Sequence, residues 1–104
     1  MEEVKMHKFK FFIDFEREEQ WLEQMAKDGY HLQNTFFGYH FQRGEPEEAI
    51  IKIDYRTFKK TNDFIDYCTM FEDSGWKHLA GTKSSGIQYF KRIDDTAGDE
   101  IFSN

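Results

Sequence analysis

The sequence has a single cysteine and fewer basic than acidic residues, and each of these features argues against a class of protein. Its one cysteine, Cys68, has no partner for an internal disulfide or a CxxC metal site. Fourteen Lys and Arg against twenty Asp and Glu give a net charge of −6, which disfavours binding to nucleic-acid phosphates or anionic lipid without a local basic patch. No apolar run approaches the length of a membrane span. Because residues 1–10 are charged throughout, unlike a secretion signal, we expect a cytoplasmic location.

Aromatic residues, in contrast, are abundant. They make up 18% of the 104 residues, while the hydrophobic residues as a whole reach only 38%. Twelve Phe, five Tyr and two Trp supply large side chains for a core, and the length suits one domain. We expect this domain at residues 1–92, followed by an acidic tail or the start of a linker at residues 93–104.

The first half of the chain has a strand pattern followed by a helix pattern. Residues 9–15 alternate, which predicts a strand whose buried face carries Phe9, Phe11, Ile13 and Phe15. Residues 16–28 have helical periodicity and acidic side chains in the first turn, and Gly29 is a candidate helix stop. Residues 31–43 are rich in aromatic residues and lead into a hairpin turn.

The second half repeats this order. Residues 49–55 alternate as a strand, and a helix capped by Thr61 or Asn62 ends at Ser74–Gly75. Residues 86–92 form the last predicted strand. The resulting order βαββαβ predicts an α+β fold, a ferredoxin-like split βαβ sandwich in which two helices cover one face of a four-stranded, antiparallel-type sheet. Similar short segments in the two halves indicate an internal repeat.

The other face of this predicted sheet is open. Strand parity assigns to it a mixture of apolar and charged side chains: Lys10, Phe12, Asp14, Ile50, Lys52 and Asp54. Such mixed faces bind partners or dimerise, so we expect a protein partner or self-association through this face.

Asp14 and Asp54 occupy equivalent positions near the ends of two predicted strands. Paired carboxylates support acid–base chemistry or hold a cation. The simpler interpretation, which we favour, is that each caps a turn or helix start, or pairs with a nearby base such as Lys10, Lys52 or Arg56.

The remaining chemistry-bearing residues form no recognisable site. His7, His31, His40 and His78 have no metal-ligand spacing, and Cys68 lies on the apolar stripe of the second helix. We therefore expect no catalytic residues, no metal and no cofactor.

A nucleic-acid partner is also disfavoured. Phe12, Phe36 and His40 are candidates for stacking on bases, but the net charge is negative and the signature of RNA-binding folds is missing. The segment 81–86 lacks the phosphate-loop motif and precedes a strand instead of a helix. We expect no nucleic acid and no membrane contact from this segment itself.

In the order of its short motifs the chain resembles the bacterial DUF2812 family of uncharacterised proteins. These motifs run from Lys8-Phe9-Lys10-Phe11-Phe12 through Gly29-Tyr30-His31-Leu32, Ile53-Asp54-Tyr55-Arg56, Gly75-Trp76 and Tyr89-Phe90-Lys91-Arg92 to Asp99-Glu100-Ile101-Phe102-Ser103. The resemblance implies an N-terminal cytosolic domain of proteins that often continue into transmembrane helices and are encoded beside PadR-type regulators. It implies no catalytic residues.

We therefore expect a non-catalytic regulatory or protein-interaction domain, the cytosolic sensor part of a membrane-anchored protein. The alternative is a small-molecule sensor or enzyme formed by a dimer of ferredoxin-like units. A third possibility is a structural domain that only positions membrane helices.

Overall fold

The computed structural model describes residues 5–102. The chain divides into two compact units, Met1–Ile51 (unit 1) and Lys52–Asn104 (unit 2). Along the chain the elements are β1 (Lys5–Lys8), α1 (Phe15–Lys27), β2 (Tyr30–Asn34), β3 (Tyr39–Arg43), β4 (Ile51–Arg56), α2 (Thr61–Asp73), β5 (Trp76–Ala80) and β6 (Gly86–Arg92). The order strand, helix, strand, strand thus occurs twice.

Unit 1 consists of α1 and an antiparallel sheet in which β3 lies between β1 and β2. Helix α1 is amphipathic, and its buried side chains include Leu22, Met25 and Ala26. The Trp21 ring lies 5.0 Å from the Tyr39 ring, which joins the helix to β3. The helix stops at Gly29, whose positive φ of 93° suits glycine best. This stop was predicted and is confirmed.

Unit 2 consists of α2 and a sheet in which β6 lies between β4 and β5. Strands β5 and β6 pair antiparallel, with Trp76 opposite Arg92. The core is a cluster of four buried aromatic side chains from the helix and the sheet: Tyr67, Phe71, Trp76 and Phe90. Phe71 and Phe90 stack at 4.1 Å between ring centroids. Aromatic side chains therefore supply the burial that the aliphatic content does not.

The α+β class is confirmed, but the four-stranded sheet and the ferredoxin-like arrangement are not. The structure has two three-stranded sheets in their place. The predicted strand at residues 9–15 is wrong, because β1 ends at Lys8 and α1 begins at Phe15. The reason is local: the Asp14 side chain accepts the Arg17 amide proton at 2.8 Å and so caps the helix inside the predicted strand. Strand β5, which follows Gly75 directly, was not predicted.

The segment after Arg92 contacts the aromatic core of unit 2. The Phe102 ring lies 4.8 Å from the Trp76 ring and 5.0 Å from the Phe71 ring. The Trp76 indole N–H donates a hydrogen bond to the Gly98 carbonyl at 3.1 Å. The domain boundary after Arg92 stays a prediction, but these contacts show what Ile101 and Phe102, apolar residues in an acidic segment, pack against.

Neither helix in the described part of the chain combines the length and the hydropathy that crossing a membrane requires. Both α1 and α2 have 13 residues.

We expect Phe102→Ala to lower the free energy of unfolding by about 1–2 kcal/mol, less than the loss for a fully buried phenylalanine, because Phe102 is only partly buried. Urea unfolding followed by far-UV circular dichroism measures this loss. Ile93→Ala is the matched control, since Ile93 is 55% exposed and outside the aromatic cluster. Equal unfolding midpoints for the two variants would show that Phe102 adds nothing to the core.

Candidate functional site

The six residues predicted for an open sheet face are divided between the two units, and their common face stays a prediction. Lys10, Phe12 and Asp14 lie outside the strands, so the parity argument that placed them on the sheet does not apply. Phe12 packs 5.4 Å from the Trp21 ring of α1, and the Lys10 ammonium lies 5.2 Å from the same ring. This side of residues 9–14 therefore lies against the helix.

The other predicted residues have individual roles. Ile50 is 37% exposed. Lys52 forms an ion pair with Asp99 at 3.6 Å. Asp14 is the N-cap of α1, as the simpler interpretation of that residue predicted. Asp54 is buried, and one of its oxygens accepts the Tyr67 hydroxyl proton at 2.6 Å.

This buried pair has a counterpart in unit 1 that the sequence analysis missed. The Tyr39 hydroxyl donates to the Glu18 carboxylate at 2.7 Å, and both side chains are buried. Residue spacing gives no signal for either pair, because each partner is supplied by a different element. Burial, followed by the hydrogen bond to Asp54, raises the pKa of Tyr67 above its ordinary value. Each pair joins a helix to a strand and so has a structural role.

Another buried polar group, Gln88 on β6, also forms hydrogen bonds within unit 2. Its side-chain amide donates to the carbonyls of Thr82 (2.7 Å) and Arg56 (3.2 Å), and its oxygen lies 2.9 Å from the His78 ring nitrogen.

Across residues 5–102, no group of three or more His, Cys, Asp or Glu side chains has the arrangement of a metal site. Burial raises the pKa of the Cys68 thiol.

The most unusual feature of unit 1 is a row of exposed apolar side chains after β1. Phe9, Phe11 and Ile13 are 69%, 96% and 87% exposed. We call these three residues the apolar ridge. The sequence predicted them as buried and Phe12 as open, and the structure reverses this: Phe12 packs on α1 and the ridge faces outward. Three large apolar side chains exposed in five residues are typical of an interaction surface.

The turn between β2 and β3 adds two more exposed rings. Phe36 and Phe37 are 73% and 74% exposed, and their rings pack edge to face at 4.4 Å. Phe37 has a positive φ of 50°, an uncommon conformation for a bulky residue, and Gly38 follows with a φ of 104°. A side chain at Gly38 would meet the Lys8 carbonyl and the Phe9 ring. The turn therefore lies beside the first residue of the ridge.

Two histidines hold this turn to the sheet. His7 on β1 and His40 on β3 are paired across the strands, and their rings stack at 4.2 Å. The Nε2 of His40 lies 2.7 Å from the Phe36 carbonyl oxygen, and the Nε2 of His7 bonds the Phe37 carbonyl. Because a carbonyl oxygen only accepts, each ring donates its Nε2 proton. These two hydrogen bonds thus hold the exposed turn against β1 and β3.

The charge around these apolar side chains is opposite to that of the whole chain. Residues 5–13 contain Lys5, Lys8 and Lys10 and no acidic residue, while residues 33–42 contain no Asp, Glu, Lys or Arg. The net charge of −6 hides this local excess of positive charge. The net charge disfavours anionic partners only where no local basic patch exists, and that exception applies to this surface.

Comparison with known proteins identifies a family. A family model described as "Protein of unknown function (DUF2812)" matches residues 14–104. The match begins at the N-cap of α1, so the apolar ridge precedes it. The curated proteins and the solved structures contain no match to the chain.

The raised pKa of Tyr67 predicts a pH dependence of stability. The folded chain keeps the Tyr67 proton at pH values where the unfolded chain, with an ordinary pKa of 10.0, releases it. The stabilisation is therefore complete below pH 10.0 and is lost as the pH rises above that value. Above that pH we expect the wild type to lose up to about 1.4 kcal/mol per pH unit more than Tyr67→Phe does.

Urea unfolding of both proteins across this pH range measures the difference. Parallel loss of stability in the wild type and Tyr67→Phe would contradict the assignment. Tyr55→Phe is the control, because Tyr55 is 66% exposed.

Proposed function

The chain belongs to the DUF2812 family, whose description gives no function, and we propose that it is a non-catalytic domain that binds another protein chain through the apolar ridge of unit 1. The observation that carries the proposal is the exposure of Phe9, Phe11 and Ile13. Covering one large apolar side chain contributes about 1.5–3 kcal/mol, so a partner that covers all three gains substantial free energy.

The chemistry of the ridge supports binding over catalysis. Phenyl and branched alkyl side chains have no group that transfers a proton or acts as a nucleophile. The polar groups next to them, His7 and His40, use their Nε2 atoms on backbone carbonyls of the turn. The surface is therefore suited to contact, with its shape fixed by the histidine pair.

Two parts of the proposal rest on the sequence and on the family resemblance, not on the ridge. They are a regulatory role and a cytoplasmic location as the sensor part of a longer, membrane-anchored chain. The proposed binding surface also differs from the one expected from the sequence, since it consists of ridge residues that were predicted to be buried.

A groove in unit 1 favours a second candidate function, the binding of a small polar molecule. The groove has a volume of about 480 Å³ and is lined by residues of β1, β2 and β3 that include Lys5, His7, Gln33, His40 and Gln42. The Lys5, Gln33 and Gln42 side chains offer hydrogen-bond donors to a polar or anionic ligand. Native mass spectrometry of the freshly purified chain distinguishes the two candidates, because a bound small molecule adds a discrete mass to the 12.6 kDa chain.

The protein-binding proposal predicts a position-specific photo-crosslink. We expect a chain with p-benzoylphenylalanine at position 11, expressed in cells, to form protein adducts on irradiation, because Phe11 is almost fully exposed in the ridge. The matched control has the same amino acid at position 65, where Ile65 is 52% exposed on α2. Gel analysis of the adducts should show at least about tenfold more product from position 11, the discrimination that 1.4 kcal/mol of binding gives.

Equal adduct yields at the two positions, or no protein adduct at position 11, would refute binding through the ridge.

A further inference from the structure

The backbone of the apolar ridge has no hydrogen-bond partner in the described part of the chain. No backbone hydrogen bond involves Phe9 through Ile13 within residues 5–102. The segment directly continues β1, which is an edge strand of its sheet because β3 lies on one side of it only. An edge with unpaired N–H and C=O groups is a template for pairing with a strand from another chain.

The side chains of the segment alternate as they do in a strand. Phe9, Phe11 and Ile13 are exposed, whereas Phe12 packs on Trp21 with Lys10 above the same ring. One side of the segment is thus covered by α1, and the other side is bare. The sequence of this segment favours a strand, but the segment has no strand to pair with. A strand from another chain, added at this edge, would supply the missing partner.

The segment is complementary to itself when two copies run antiparallel about Phe11. Lys8 then faces Asp14, Phe9 faces Ile13, and the two Phe11 residues face each other. Opposite charges and pairs of an aromatic with a β-branched side chain are favourable across strands. The Asp14 side chain caps α1 and lies 3.9 Å from the Arg17 guanidinium, but it is 52% exposed, so its carboxylate is still accessible to a lysine.

Neighbouring registers are worse. A centre at Lys10 places the two Lys10 ammonium groups directly opposite each other, which is destabilising. A centre at Phe12 leaves Phe9 opposite Phe15, which is already the first residue of α1. The centre at Phe11 pairs every ridge residue with another ridge residue.

We propose, on the basis of the function proposed above, that the occupant of the apolar ridge is a second copy of this chain, paired antiparallel through residues 8–14. The dimer has two-fold symmetry, so each copy offers the same surface to the other. Pairing places the ridge side chains of the two copies side by side, which covers part of each one and gives an interface below the standard size. The dimer is accordingly expected to be weak and to depend on protein concentration.

Sedimentation velocity of the full chain, from about 1 to about 500 μM, tests the dimer. We expect a monomer–dimer equilibrium in the wild type and a Kd at least about tenfold higher for Phe11→Ser, which removes both central rings. The Phe11 side chain is 96% exposed, so this variant should keep its fold, and circular dichroism checks this. Ile65→Ser, in an exposed position of α2, is the matched control and should dimerise like the wild type.

Charge variants test the register independently of the apolar contact. Lys8→Glu places a carboxylate opposite Asp14 at both of the symmetry-related positions in the dimer. We expect this repulsion to raise the Kd about tenfold. Adding Asp14→Asn to Lys8→Glu removes this repulsion and retains an N-cap residue, so most of the loss should be recovered. Lys5→Glu, outside the paired segment, should change the Kd by less than about twofold.

A wild-type chain that stays monomeric at every concentration would overturn the second copy as the occupant. If position 11 nevertheless forms protein adducts in cells, binding through the ridge stands and the partner is a different protein; if it forms none, both proposals fail. A dimer that is insensitive to Phe11→Ser and to Lys8→Glu uses another surface and also overturns the inference.

Discussion

A buried hydrogen bond between a tyrosine hydroxyl and a carboxylate joins the helix to the sheet in each unit. In unit 1 the tyrosine is on β3 and the carboxylate, Glu18, is on α1. In unit 2 the carboxylate, Asp54, is on β4 and the tyrosine is on α2. Burying a carboxylate is costly unless it is hydrogen-bonded, so each tyrosine hydroxyl helps to stabilise its carboxylate in the buried position.

Local signals were sufficient for much of the fold. The glycine stops at Gly29 and Gly75 were predicted, and so was the final strand, since backbone conformation and side-chain alternation are local properties. The predicted N-cap of α2, Thr61 or Asn62, is wrong, because Lys60 occupies that position without a side-chain hydrogen bond. The polar pairs escaped prediction for a different reason: Glu18 and Tyr39 are 21 residues apart, and no local pattern links them.

The proposed binding surface lies in a segment that the sequence analysis singled out, but on the opposite side of that segment. Alternation in residues 9–15 indicated two sides correctly, yet it does not state which side is covered. The helix cap at Asp14 and the contact of Phe12 with Trp21 decide that question, and they leave the more apolar side exposed. The net charge of −6 was equally misleading. It reflects twenty acidic residues over the whole chain and hides residues 5–13, which contain three lysines and no acidic residue.

The two tryptophans are distributed one to each unit, and their environments differ. Trp21 in unit 1 is partly exposed beneath the Lys10 ammonium, whereas Trp76 in unit 2 is fully buried and donates its indole proton to a backbone carbonyl. The intrinsic fluorescence of the chain therefore contains two signals of different polarity. Replacing either tryptophan by phenylalanine leaves an optical reporter of one unit alone, so the cooperativity between the two halves of the molecule is accessible without any added label.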